Sequence, residues 1–183
     1  WYSQTPTWFF KEKWDINEKW VDKKIMLKRM ENFIKNVFET VIKTYPTIDF
    51  YAWDIVNEAL LDNGTPRKGG SQEEGYFYSP WVKVFGDNSF VKYAFQFAKK
   101  YAPVGCKLYY NEFNEYLLDK TQAVIKLVEE VNSEEKLIDG IGLQSHLDVQ
   151  HPTTDLYEIA IKAYAETGLD LQITELDVAI IGN

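Results

Sequence analysis

The chain has 183 residues, 45% hydrophobic and 16% aromatic, with 20 Lys and Arg against 28 Asp and Glu for a formal net charge of -8. That length matches one domain of about 150 residues or a little more, and it buries on the order of 70% of its unfolded surface, which excludes global disorder. The negative charge repels phosphate backbones and anionic lipids, so neither nucleic acid nor a membrane is expected as a partner, and no apolar run approaches the roughly 18 residues of a membrane span.

Between residues 15 and 45 the chain takes up helical spacing, with Met30, Phe33, Ile34, Val37, Phe38 and Val41 on one face. Asp15 and Glu18 have the spacing of a capping box at its start, and Tyr45-Pro46 ends it. Residues 48–56 are aromatic and β-branched and predict a buried strand. From Asp62 to Gly86, five glycines, two prolines and no helical period predict a long loop. A helix over 88–100 follows, with Phe90, Val91, Ala94, Phe95 and Ala98 as its apolar face, then a strand over 106–110. The series repeats as a helix over 119–132, a strand over 138–143, a helix over 154–166 with Gly168 past its end, and a strand over 169–174. Strict alternation of helix and strand implies an α/β fold with a parallel sheet, either doubly wound or a barrel.

In both architectures ligands meet the carboxyl ends of the strands. The residues after the four predicted strands are Asn57-Glu58, Asn111-Glu112, Gln144-Ser145-His146 and Glu175 with Asp177. Any one such group is an ordinary cap or solvated strand end; four in succession point to a functional rim. Two glutamates from separate strands facing one cleft suit acetal hydrolysis, one carboxyl protonating the departing oxygen and the other attacking carbon. The chain carries no serine nucleophile elbow and no phosphate-binding lysine loop, and Gly140-Ile-Gly142 lacks the third glycine of a dinucleotide loop. A single cysteine and two histidines leave no zinc constellation, so no metal is expected.

These residues lie in recognisable motifs. Trp53 to Ala59 reads WDIVNEA and resembles the WDVVNEA segment of glycoside hydrolase family 10, the endo-β-1,4-xylanases. Ser3 to Phe9 resembles that family's HSQTPxWF stretch, Tyr109 to Asn114 its YYNDYN, Gly140 to Leu147 its GIGLQSHL, and Ile173 to Asp177 its ITELD. The five stand in family order.

The resemblance implies an incomplete (β/α)8 TIM barrel, with residues 1–183 forming part of one catalytic domain from the end of strand three through strand seven. Trp1 then ends strand three, and strands one, two and eight are expected outside the chain, as missing barrel segments of the same parent protein. It further implies Glu58 as acid/base and Glu175 as nucleophile, with His146 touching the nucleophile, Asp177 orienting that imidazole and Gln144 bonded to the acid/base. Asn57 would grip the sugar 2-hydroxyl, and Asn111 joins the substrate-binding set. Trp8 and Trp81 are candidate cleft platforms, with ordinary packing as the alternative. Tyr2 stands where the family has a sugar-binding histidine, and Glu112 and Phe113 replace its Asp and Tyr. The implied function is a secreted, cofactor-free, retaining endo-xylanase acting on xylan and xylo-oligosaccharides. A related barrel glycosidase on other β-glycans, and a truncated fragment that binds xylan without cutting it, are the alternatives.

Overall fold

A computed structural model describes residues 5–180. Two short 3-10 turns, Thr7–Phe10 and Glu12–Trp14, lead into α1, Lys23–Thr44. The helix starts later than the spacing of Asp15 and Glu18 predicts. Residues 11 to 20 are held in an antiparallel bridge, Lys11 to Trp20, and the Glu18 side chain pairs with Lys13 at 2.6 Å. The cap is Asp22, whose carboxylate accepts from the Ile25 N–H at 2.8 Å. Met26, Met30 and Phe38 form the buried face, while Phe33 is exposed and meets the Phe9 ring edge-on.

β1, Ala52–Asn57, begins four residues after the predicted start. The predicted loop over 62–86 contains structure that its glycines concealed: β2, Lys68–Gly69, pairs with β3, Tyr78–Ser79, and α2 spans Pro80–Phe85. Ser79 caps α2 and Pro80 opens it, the arrangement that suits an N–H-less residue in a first turn. α3, Phe90–Tyr101, buries all five residues of its predicted face. β4, Lys107–Glu112, α4, Leu118–Asn132, and β5, Gly140–Leu143, follow close to their predicted positions. Then come β6, His146–Asp148, α5, Thr154–Ala165, β7, Asp170–Ile173, and β8, Asp177–Ala179. The parallel β6–β8 pair has no counterpart in the sequence reading, because three-residue strands carry no readable period.

The main sheet is parallel with order β1-β4-β5-β7. Each step moves to the next strand of this sheet in chain order, the short β2–β3 and β6–β8 pairs standing apart from it. A doubly wound sheet would reverse direction at a switch point; steady progression is the arrangement of a barrel wall. α3 packs against β1 and β4, and α5 against β7, so the helices cover one face. Leu108, Tyr110, Ile141 and Leu143 point into that helix-side core. Residues at odd spacing to these, Tyr109, Asn111, Gly140 and Gly142, turn to the opposite, concave face. On β1 the register slips by one between Asp54 and Val56, a bulge that re-aims the end of the strand.

Candidate active site

The bulged end of β1 delivers Asn57 and Glu58 to the concave face. Glu58 has φ 57, a left-handed backbone that costs a non-glycine residue about 1–3 kcal/mol and persists only where its surroundings hold it. Its N–H donates to the Asn111 carbonyl at 3.0 Å, extending the β1–β4 ladder, and its own carbonyl accepts from Arg67 Nε at 3.0 Å.

Side-chain hydrogen bonds tie the strand ends into one network. Asn57 Nδ2 and Gln144 Nε2 both donate to Glu58 Oε1, at 2.9 and 3.0 Å. Asn57 Oδ1 accepts from Gln144 at 3.1 Å and from Asn111 Nδ2 at 2.7 Å. Asn111 Nδ2 also donates to Glu175 Oε1 at 2.7 Å, and Thr174 Oγ1 donates to Asn111 Oδ1 at 2.7 Å. Register explains this convergence, since Asn57 stands opposite Asn111, and Asn111 opposite Gly142.

Glu175 follows β7. On its far side, His146 Nε2 lies 3.4 Å from Glu175 Oε2, and His146 Nδ1 lies 2.9 Å from Asp177 Oδ2. Burial pulls the imidazole pKa down, but the two carboxylates outweigh it and hold His146 above its ordinary value. His146 is aimed by Ser145, whose backbone is also left-handed at φ 60. Ser145 N–H and Oγ both donate to Glu115 Oε1, at 3.1 and 3.2 Å.

Glu58, Glu175, Asn57 and Asn111 line one pocket of about 500 Å³, together with Ala52, Trp53 and Asp54. Burial, with Glu175 adding to it, pushes the Asp54 carboxyl above the usual range. Seven of the ten residues singled out from sequence thus fall in one connected cluster: Asn57, Glu58, Asn111, Gln144, His146, Glu175 and Asp177.

The two candidate platforms do not join it. Trp81 lies in α2 with its ring 4.7 Å from Phe10 and stacked on Phe90 at 5.8 Å, behind Asn57 and Glu58 rather than along the pocket. The short helix that the sequence concealed is what turns this tryptophan into the packing layer. Trp8 is 44% exposed and meets Phe9 and Trp14 edge-on, away from the pocket-lining residues. Tyr2 lies outside the described residues.

Sequence reasoning overlooked Arg67, Tyr110 and Asp54. Arg67, only 2% exposed, also donates to the Tyr76 carbonyl. An arginine in a glycine-rich stretch gives no hint of burial. Tyr110, by contrast, was readable from the alternation of β4 as a core-facing hydroxyl in need of a partner.

Comparison with known proteins fits this geometry. The model of glycosyl hydrolase family 10 matches residues 1–183. The bifunctional endo-1,4-β-xylanase XylA of Ruminococcus flavefaciens is 46% identical over 178 residues, covering 97% of this chain and 18% of that protein. Endo-1,4-β-xylanase Y of Acetivibrio thermocellus is 42% identical, covering 98% of this chain and 17% of its own length. Among solved structures, the N-terminal endo-1,4-β-D-xylanase 10B of Clostridium thermocellum complexed with xylohexaose superposes with a TM-score of 0.91 at 40% identity, over 98% of this chain and 36% of that one. TsXylA, an intracellular xylanase from Thermoanaerobacterium saccharolyticum, gives 0.86 at 30% identity, over 100% of this chain and 53% of that one. The chain therefore spans about half or less of the length of these relatives. With a family match along its whole length and a parallel sheet that advances strand by strand, the chain belongs to glycosyl hydrolase family 10 and forms part of that family's (β/α)8 barrel.

Proposed function

We propose that residues 1–183 are part of one catalytic barrel and carry the reaction centre of a retaining endo-1,4-β-xylanase. The observation that carries the reading is the convergence of Glu58 and Glu175, from the ends of β1 and β7, on one pocket and one hydrogen-bond network. In the first step Glu58 gives its proton to the glycosidic oxygen while Glu175 attacks the anomeric carbon, forming a glycosyl-enzyme. In the second, Glu58 takes a proton from water, which displaces Glu175 and releases a sugar of retained configuration. His146 and Asn111 hold the two Glu175 oxygens so that one face of the carboxylate is aimed, and Asp177 fixes the imidazole tautomer. Asn57 and Asn111, at the pocket wall, bind the sugar being cut. No step requires a cofactor.

The substrate assignment to xylan and xylo-oligosaccharides is supported by the relatives' activities and by the xylohexaose bound to the Clostridium thermocellum enzyme. Because xylan is a polymer too large to cross a cell envelope, the proposal includes secretion. TsXylA is intracellular, so cell fractionation is the deciding measurement.

The test is release of reducing sugar from xylan, cellulose and mannan by the polypeptide that carries this chain. Turnover should favour xylan, fall about 10²–10⁴-fold in Glu58→Ala, and vanish in Glu175→Gln. The first product seen by NMR should be the β-anomer; an α-anomer would defeat the retaining mechanism, and preference for cellulose or mannan the substrate assignment.

A second reading follows from the edges of the sheet. Among the described residues β1 and β7 each have one unpaired side, which in a closed barrel would be occupied. Residues 1–183 alone would then bind xylan without turnover. Chromatographic size and xylan binding of the isolated segment, with activity compared against its Glu175→Gln form, separate the two readings.

A further inference from the structure

We propose that Tyr110 and Glu112, anchored by Lys120, are positioning residues that clamp the left-handed turn at Glu58 and so direct proton delivery to the leaving group. The proposal rests on Glu58 being the acid/base.

The chain leaving β1 is fastened at successive residues. Beyond the two backbone bonds at Glu58, the Ala59 N–H donates to Tyr110 Oη at 3.1 Å. The Leu60 N–H points at Glu112 Oε2 at 3.4 Å, and the Tyr110 hydroxyl donates to that same oxygen at 2.7 Å. Glu112 Oε1 accepts from the Phe113 N–H at 3.2 Å and faces Lys120 Nζ at 3.0 Å. Lys120 Nζ also lies 3.2 Å from Asp62 Oδ1 and 3.6 Å from the centre of the Phe113 ring. Residues 58, 59, 60 and 62 are thereby tied to β4 and α4.

Tyr110, Glu112 and Lys120 are each 0% exposed. Burying an ion pair and a hydroxyl in a helix-side core costs desolvation that apolar residues of the same size would avoid. What the polar trio supplies instead is directional: it satisfies two consecutive backbone N–H groups just past a residue held at φ 57. A side chain on such a turn swings with its backbone, and a displacement of about 1 Å at a reacting group can cost on the order of 10²-fold in rate. None of the three lines the pocket, so their influence on catalysis passes through Glu58.

Misplacing the acid, unlike damaging the fold, penalises poor leaving groups selectively, because a good leaving group departs without protonation. The experiment measures kcat/KM of the polypeptide that carries this chain on aryl β-xylobiosides from dinitrophenyl to phenyl, with Glu58→Ala as the reference. Tyr110→Phe should lose about tenfold or more on the phenyl substrate while changing the dinitrophenyl rate by less than about twofold. Glu112→Asp keeps the charge beside Lys120 but draws the carboxylate back from Tyr110 and Leu60, and should show the same selectivity if Tyr110→Phe fails to fold. Equal loss across the series, or no loss, in the folded variants overturns the clamp while Glu58→Ala remains selective. If Glu58→Ala itself shows no selectivity, the acid/base assignment falls, and the clamp with it.

Discussion

A methyl group on Gly142 would stand 2.4 Å from Asn111 Oδ1, too close for the two to coexist. The glycine is the gap into which β4 lays the amide that bridges Asn57 and Glu175. Gly142→Ala should therefore push Asn111 out of the bridge, with overpacking costing about 1–3 kcal/mol of stability. Activity on xylan should fall by about 10²-fold, more than that loss of stability explains at room temperature. Thermal melting and kcat/KM on the same preparation check this; a variant of lowered melting temperature and intact activity would show that the bridge is dispensable.

The ion triad of His146, Asp177 and Glu175 has a pH signature. A histidine whose pKa is raised in the folded state adds stability that is fully present below its unfolded value, near 6.5, and lost as pH rises through the higher folded value. Asp177→Asn removes the partner 2.9 Å from Nδ1 and should lower the His146 pKa, narrowing that window from its upper side. The imidazole C–H shifts, followed by NMR from pH 5 to 9, read the change directly. An unchanged titration in the variant would mean that Glu175 alone sustains the shift.

Lys120 is a fully buried cation beneath the rim, 3.0 Å from Glu112 and within reach of Asp62. Burial pushes the Glu112 carboxyl upward even with the ammonium beside it. Lys120→Met keeps the packing volume but strands that carboxylate, and should cost about 3–5 kcal/mol in a denaturant titration at neutral pH. The double variant Lys120→Met, Glu112→Leu should recover much of that loss, because no uncompensated charge is left inside.

What the sequence revealed of the fold and what it hid differ in range. The face of α3 was readable because Phe90, Val91, Ala94, Phe95 and Ala98 follow one helical period against one sheet. The rim was readable because strand ends bring their following residues to the same side, whatever the connecting helices do. The start of α1 was not: Asp15 and Asp22 offer the same capping chemistry, and the choice fell to a bridge between Lys11 and Trp20 formed elsewhere in the segment. Trp81 stayed open between cleft platform and ordinary packing for the same reason, since only the fold shows that its ring packs edge-on against Phe10 and stacks on Phe90. The clamp at Ala59 depends on a hydroxyl 51 positions away, and no local pattern announces it.

A second buried carboxylate yields a prediction of opposite sense. Glu115 is 0% exposed; its Oε1 takes the bonds that hold the left-handed turn at Ser145, while Oε2 is buried without a hydrogen-bond partner among the described residues. Burial outweighs these bonds and raises the carboxyl pKa above its ordinary 4.5. A carboxyl raised by folding contributes stability below its unfolded pKa and loses it as pH climbs through the folded value, because the charged form must then be accommodated in the core. Glu115→Gln keeps the shape and an acceptor for Ser145 while removing that charge, so its stability curve should be flatter above pH 4.5 than that of the parent. Urea midpoints at pH 4 and pH 8 measure the difference. The variant should gain on the parent as pH rises; parallel midpoints at the two pH values would mean that Glu115 does not titrate in this window.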